Sequence, residues 1–97
     1  MRLFHRTTLP PDQALDAADA HFAGLGLARQ AADTRTRRFQ GALGTLALTV
    51  RMEGGHYTLV EAHTDQVGES RLDKNVKKYF NALHRAADPR HRIEAGY

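Results

Sequence analysis

Two consecutive glycines, Gly54 and Gly55, stand between two predicted strands, and this pattern restricts the fold more than any other feature. Residues 45–53 alternate between apolar and polar side chains, which is the period of a strand with one buried face, and residues 57–65 form the second strand. Glycine reaches positive φ without steric cost, so a Gly-Gly pair is typical of a tight hairpin turn. The sequence therefore predicts an antiparallel hairpin here.

Four further elements flank this hairpin. We predict a strand over 2–8, a helix from Asp12 to the glycines at 24 and 26, a strand rich in threonine and arginine over 32–40, and a final helix from Leu72 that stops before Pro89. The order β-α-β-β-β-α predicts an α+β fold, a two-layer sandwich in which both helices cover one face of an antiparallel sheet. We expect one domain over 1–97, with 90–97 as a loose basic tail.

Both helices show an apolar face at helical spacing, and the face of the last helix is the clearer one. Ser70 and Asp73 resemble a capping box at its start, with aspartate in the usual place of glutamate. The predicted core residues are Ala14, Leu15, Ala18, Phe22 and Leu25 in the first helix, and Leu72, Val76, Tyr79, Phe80 and Leu83 in the last.

Composition excludes several classes of protein. The 97 residues are 41% apolar and 26% charged, which is the balance of an ordinary globular protein. The chain contains no cysteine, which excludes disulfides and thiol nucleophiles and suits a reducing compartment, so we expect a cytoplasmic protein. No apolar run is long enough to span a membrane or to act as a secretory signal.

Charge is distributed unevenly along the chain. A net charge of +3 does not by itself indicate nucleic-acid binding. The first helix carries Asp12, Asp16 and Asp19, whereas the region 69–85 is mainly basic. This separation fits either two solvated helix faces or a contact between an acidic and a basic element, and we favour the solvated faces.

The lengths of the two turns decide which strand residues share a face of the sheet. A two-residue turn at Gly54-Gly55 places Glu53 opposite His56, and a symmetric turn at 41–44 places Gln40 opposite Thr45. The cross-strand pairs that follow are Leu48–Glu61, Leu46–His63, Phe39–Leu46 and Arg37–Leu48.

Two faces result from this register, because cross-strand partners lie on the same side of the sheet. The side expected to meet the helices has an apolar centre and consists of Arg35, Arg37, Phe39, Leu46, Leu48, Val50, Met52, Tyr57, Leu59, Glu61 and His63. The open face is rich in threonine and consists of Thr34, Thr36, Arg38, Gln40, Thr45, Ala47, Thr49, Arg51, Thr58, Val60, Ala62 and Thr64. A slip of one residue at the Gly54-Gly55 turn would move Tyr57, Leu59, Glu61 and His63 to the open face.

One cluster on the helix-facing side has the residue types of a reactive site. Arg37, Glu61 and His63 meet at one end of the predicted sheet, and Asp65 continues the alternation. A carboxylate beside a histidine can orient it for acid–base catalysis or contribute to a metal site. A salt bridge between Arg37 and Glu61 at the rim explains the same pattern, and we favour that interpretation. We predict no cofactor and no metal site, because phosphate-binding, dinucleotide and zinc-protease motifs are all missing from the sequence.

Three functions remain open. We favour a small non-enzymatic binding or assembly module that forms a homo-oligomer through its open face and holds a small ligand between sheet and helices. The alternative is a nucleic-acid-binding domain, because basic groups contact phosphates. An enzyme using Glu61, His63 and Arg37 is the third. The residues expected to bind a ligand or nucleic acid are Arg38, Arg51, Lys74, Lys77 and Lys78.

Overall fold

A computed structural model of the chain describes residues 1–67 and 69–87. The strand predicted at the N-terminus is β1, the first helix is α1, and the final helix is α2. The elements are β1 (Arg2–Thr7), α1 (Pro11–Ala23), β2 (Ala28–Ala32), β3 (Thr36–Gly41), β4 (Gly44–Glu53), β5 (Tyr57–Thr64) and α2 (Arg71–Ala87). The loose tail predicted for 90–97 lies outside the described residues.

The five strands form one antiparallel sheet in the order β1-β5-β4-β3-β2, and both helices pack on the same face of it. α2 contacts β1 and β5, whereas α1 contacts β2, β3 and β4. The predicted α+β class and the single helical layer are therefore confirmed. In the described parts of the chain, no helix is long and apolar enough to cross a membrane.

The strand predicted over 32–40 begins later than expected, as β3 at Thr36, and a further strand, β2, precedes it. Asp33 follows the last residue of β2, and its Oδ1 accepts hydrogen bonds from the backbone N–H groups of Arg35 and Thr36, both at 2.8 Å. This side-chain turn reverses the chain. The reversal adds β2 as an edge strand, in which all five residues are exposed and a register shift falls between Arg29 and Ala31.

The hairpin of β3 and β4 has the predicted register. Gly41 pairs with Gly44, and Gln40 pairs with Thr45. Arg37 consequently lies opposite Leu48, as expected. Phe39 and Leu46 face the helices and are 1% and 0% exposed.

The hairpin of β4 and β5 departs from the prediction. Gly54 and Gly55 both have positive φ, of 64° and 74°, but the turn includes His56 as a third residue. Glu53 therefore pairs with Tyr57 rather than with His56. This difference of one residue turns every side chain of β5 to the other face of the sheet.

Contacts on the helix side explain why the longer turn is preferred. Thr58 donates a hydrogen bond from Oγ1 to the Leu9 carbonyl at 2.7 Å, and Thr64 donates one to Oδ1 of Asp73 at 2.7 Å. The two apolar residues between them, Val60 and Ala62, are fully buried. A two-residue turn would instead place a carboxylate and an imidazole against the helices, and burying such groups without partners costs several kcal/mol, on the order of 2–7 for a polar group.

The core lies between the sheet and the two helices, and the predicted apolar faces supply most of it. All five predicted α2 residues are buried, as are the four that lie in α1; Leu25 follows the end of α1 and is partly buried against the same cluster. Tyr79 is central: it contacts the Phe22 ring, and its hydroxyl donates a hydrogen bond to the Ala14 carbonyl at 2.6 Å. Burial, assisted by Asp19, raises the pKa of the Tyr79 hydroxyl far above its ordinary value, so it remains a proton donor.

The start of α2 has a variant of the predicted cap. The backbone N–H of Asp73 donates to Ser70 Oγ at 3.0 Å, and the Ser70 hydroxyl donates to Asp73 Oδ2 at 3.0 Å. The Asp73 carboxylate is buried, and Thr64 at the end of β5 supplies a further hydrogen bond to it. This group of three residues therefore links the helix start to the sheet.

Candidate binding surface

The three residues considered for catalysis do not meet. Arg37 lies on the helix side, where its Nε donates to Asp19 Oδ1 at 3.0 Å and its Nη1 donates to the Asp33 carbonyl at 2.6 Å. Glu61 and His63 lie on the opposite, open face, because β5 is turned over relative to the predicted register. The expectation that the three share a face is therefore wrong, and Arg37 instead ties α1 to the turn between β2 and β3.

The two carboxylates at the end of β5, those of Glu61 and Asp65, have other hydrogen-bond partners. Glu61 accepts a hydrogen bond from Arg2 Nη2 at 3.1 Å. Asp65 accepts one from the Thr45 backbone N–H at 2.9 Å, and hydrogen bonding lowers the pKa of its carboxyl. Within residues 1–67 and 69–87, no three histidine or carboxylate side chains are grouped so that they could hold a metal ion.

The open face of the sheet, the side without helices, carries arginines, a histidine and two half-exposed aromatic rings. Its β3 and β4 residues are those predicted, with Glu53 in addition, whereas β5 contributes a different set. Strands β1 and β2 also add residues to it. The residues of the open face are Arg2, Phe4, Arg6, Ala28, Ala31, Thr36, Arg38, Gln40, Thr45, Ala47, Thr49, Arg51, Glu53, Tyr57, Leu59, Glu61 and His63.

Four arginines and two glutamates lie on the open face, so its charge is positive on balance. Both glutamates are paired with arginines of β1: Glu61 with Arg2, and Glu53 with Arg6. The Arg6 guanidinium lowers the pKa of the Glu53 carboxyl. Arg38 and Arg51 form no salt bridge with any carboxylate in the described part of the chain, so both are available to an anionic partner.

Aromatic rings lie beside these arginines. Phe4 is 52% exposed and Tyr57 is 49% exposed, although both belong to strands. The Arg2 guanidinium carbon lies 5.1 Å from the centre of the Phe4 ring, which is a cation–π geometry. Between the arginines of β1 and β4, Leu59 is only 3% exposed, and the stems of Arg6 and Arg51 are in position to cover it.

A depression lies where the open face carries its smallest side chains. Ala31 and Ala47 form part of it, Arg38 lies beside them, and its volume is about 290 Å³. Larger side chains surround these alanines on the neighbouring strands, so the face is not flat. The depression can receive a flat ring or a side chain of a partner.

The three lysines predicted to bind an anion belong to a different surface. Lys74, Lys77 and Lys78 are exposed on α2, which lies on the other side of the sheet from Arg38 and Arg51. Lys77 donates to Glu69 at 3.1 Å. A single strand of nucleic acid lying on the open face would not contact these lysines, so the predicted set of five divides into two surfaces.

Sequence reasoning missed the contribution of β1 to the open face. Arg2, Phe4 and Arg6 occupy alternate positions of a predicted strand, and this spacing was a sufficient signal that they share a side. Their position beside β5 could not be read from the sequence, because β1 and β5 are far apart in the chain and no short turn joins them.

No protein-family model matches the chain, and no curated protein matches its sequence.

Proposed function

We propose that the protein is a non-enzymatic binding module whose open face binds single-stranded nucleic acid. The observation that carries this proposal is the three-residue turn between β4 and β5, which brings Tyr57 and His63 to the same face as four arginines. The predicted threonine-rich face would have lacked Tyr57 and His63. An open antiparallel sheet that combines arginines with exposed rings offers both parts of single-strand recognition.

Arginines supply the electrostatic part of this binding. Guanidinium groups bind phosphates through paired hydrogen bonds, and each neutralised phosphate releases counterions. Arg38 and Arg51 lie on neighbouring strands, and Ala47, the partner of Arg38, is four residues from Arg51. The two side chains are thus roughly 13 Å apart along the strand direction, a span that covers more than one nucleotide.

Exposed aromatic rings supply the part of the binding free energy that does not depend on salt concentration. A base stacked on an aromatic side chain contributes about 1–3 kcal/mol. Tyr57 and Phe4 are the half-exposed rings of this face, and the depression beside Arg38 can accept a further base. The acidic residues Asp12 and Asp16 belong to α1 on the opposite layer, so they do not face a strand bound here.

The test is fluorescence anisotropy of a labelled single-stranded oligonucleotide at increasing salt. We expect binding at low salt that weakens as salt rises. The double variant R38A/R51A should reduce the slope of log K against log salt by about 1.4, since each contact in a single strand contributes about 0.7. Tyr57→Ala should weaken binding about 5- to 150-fold and leave that slope unchanged.

The matched control removes the same charge from the other layer. The variant K74A/K77A should bind as wild type, because neither lysine lies on the open face. A larger loss in K74A/K77A than in R38A/R51A would place binding on α2 and overturn the proposed surface. Absence of binding at low salt would overturn nucleic-acid recognition altogether.

Self-association is the second candidate, favoured by the exposed rings Phe4 and Tyr57 on an uncovered sheet face. It ranks second because two copies stacked through this face would bring eight arginines together against four glutamates that are already paired. Native mass spectrometry tests it. A dimer that disappears in Tyr57→Ala would support assembly through the open face, whereas a monomer at all concentrations would exclude it.

For location we keep the cytoplasm as a proposal, supported by the cysteine-free sequence. Cell fractionation with a tagged chain tests it, and recovery of the protein in an oxidising compartment would contradict it.

A further inference from the structure

A groove between the two helices has the chemistry of a second site. It has a volume of about 270 Å³ and is lined by five residues, four of which belong to α2. The α2 residues lie at i, i+3, i+4 and i+7, which places them on one face of the helix. The fifth residue comes from α1. The groove is lined by His21, Lys78, Asn81, Ala82 and Arg85.

Among the described residues, every polar group lining this groove can donate a hydrogen bond, and none is a carboxylate. Lys78 and Arg85 carry full positive charges, and Asn81 adds an amide N–H₂ group. In residues 1–67 and 69–87 neither Lys78 nor Arg85 forms a salt bridge, whereas the neighbouring Lys77 is paired with Glu69. Two unpaired cations that share one groove repel each other, and a bound anion removes that repulsion.

The size of the groove limits the ligand. A volume of about 270 Å³ lies below the usual range for sites that enclose a drug-sized molecule, about 300–1,000 Å³. It is large enough for one compact anion. A phosphate group matches both the size and the donors, because arginine and lysine bind phosphate oxygens through charge-assisted hydrogen bonds.

His21 forms the α1 wall of the groove and is sensitive to charge there. Its Nε2 is buried and has no hydrogen-bond partner in the described part of the chain. Burial lowers the pKa of His21, the positive charge of Lys78 lowers it further, and the Asn75 backbone opposes both effects. An anion beside Lys78 would offset the repulsion between Lys78 and a protonated His21.

We propose that this groove binds a phosphate group, either as inorganic phosphate or as a phosphomonoester, through Lys78, Asn81 and Arg85. The site lies in the helical layer, apart from the open face, and does not depend on the proposed nucleic-acid binding. In this site Lys78 binds a compact anion, and Arg85 and Asn81 are additional binding residues.

Isothermal titration calorimetry of the full chain with inorganic phosphate and with glycerol phosphate tests the proposal. The double variant K78Q/R85Q should weaken binding at least tenfold, equivalent to about 1.4 kcal/mol. The matched variant R71Q/K77Q removes two charges from α2 outside the groove and should bind as wild type. Tighter binding of the monoester would identify an esterified phosphate as the ligand, and equal or weaker binding would identify the free ion.

A second readout separates a specific site from general attraction to a basic helix. In NMR titrations, phosphate should raise the pKa of His21 in wild type and in R71Q/K77Q, but not in K78Q/R85Q. Circular dichroism checks that the variants fold, which we expect because all four substituted side chains are exposed. Equal affinity in the two double variants, an unchanged His21 pKa on saturation, or no heat of binding would each overturn the proposal.

Discussion

The two hairpins that share β4 differ by one residue in their turns, and that residue decides the chemistry of the surface. Between β3 and β4, two residues join Gly41 to Gly44. Between β4 and β5, three residues join Glu53 to Tyr57. Had the second turn been like the first, β5 would show threonines, valine and alanine to solvent. Instead it shows Glu61 and His63 together with an aromatic ring.

Local turn chemistry and burial therefore act on the register of the strands separately. The glycines of the second turn have the positive φ angles that a tight turn requires, yet they do not fix its length. The length of the turn is set by the side chains that each register would bury. A slip by one residue exchanges two fully buried apolar residues, Val60 and Ala62, for Glu61 and His63, and the cost of burying those groups outweighs any preference for the shorter loop.

The largest expected effect comes from placing a charge on each face of β5. Ala62→Asp should lower the free energy of unfolding by at least about 4 kcal/mol or prevent folding, because it buries an unpaired carboxylate in the core. His63→Asp, one residue away on the open face, should change it by less than about 1 kcal/mol. Urea denaturation followed by circular dichroism measures both. Reversed sensitivities would show that β5 has the two-residue-turn register.

A smaller loss is expected from breaking the contact that holds β5 in register at its far end. Asp73→Ala removes the acceptor of the Thr64 and Ser70 hydroxyl groups, and it should cost about 1–3 kcal/mol of unfolding free energy. Glu69→Ala is the matched removal of an exposed carboxylate paired with Lys77, and it should cost at most about 1 kcal/mol. Equal effects in urea denaturation would mean that the buried cap does not secure the register.

The titration of His5, on the helix-facing side of the sheet, gives a further test. His5 lies opposite Val60 and stacks on Phe80 at 5.1 Å; burial, assisted by His84, lowers its pKa below the ordinary value of 6.5. The folded state therefore binds fewer protons than the unfolded state, and stability should fall as the pH drops below about 6.5. Burial also lowers the pKa of His21, so this residue should likewise reduce stability at lower pH.

Replacing His5 with phenylalanine should flatten this pH dependence, because the ring stack remains while the titrating group is removed. Thermal unfolding of wild type and His5→Phe between pH 7.5 and 5 measures the difference. Wild-type protein that is equally stable at both pH values would contradict the assignment of His5 to the buried side.

The smallest effect is expected from making the two hairpins alike. Deleting His56 leaves a two-residue Gly54-Gly55 turn that still joins Glu53 to Tyr57, so both faces of β5 are preserved. The free energy of unfolding should change by less than about 1 kcal/mol, since loop closure depends weakly on length. Backbone NMR should show the same β4–β5 pairs, and a shift of those pairs would indicate that His56 itself sets the register.

Most of the fold was predictable, and the exceptions have local causes. Helical periodicity identified both helices and nearly all of their buried residues, because burial of an apolar face follows spacing along one element. The strand β2 was missed because the turn at Asp33 contains no glycine or proline. The hydrogen bonds from Arg35 and Thr36 to the Asp33 carboxylate, which also lower its pKa, make that turn.

The binding surface was less predictable than the fold. Arg38 and Arg51 were placed on the open face correctly, because their strands are joined by the turn whose length was read correctly. Arg37, Glu61 and His63 were grouped wrongly, because that grouping depended on the other turn. Phe4 joins the surface only through the pairing of β1 with β5, which no local sequence pattern predicts.

Periodicity and residues close together in the chain suffice to predict the α+β class, the helical faces, the cap of α2 and the hairpin of β3 and β4. Tertiary packing sets the length of the turn between β4 and β5, the neighbours of β1 and therefore the chemistry of the open face. The physical reason is that a strand has two sides with a period of two, and its local sequence fits either orientation. Packing against α1 and α2 selects the side that buries Val60 and Ala62 and leaves Glu61 and His63 in water.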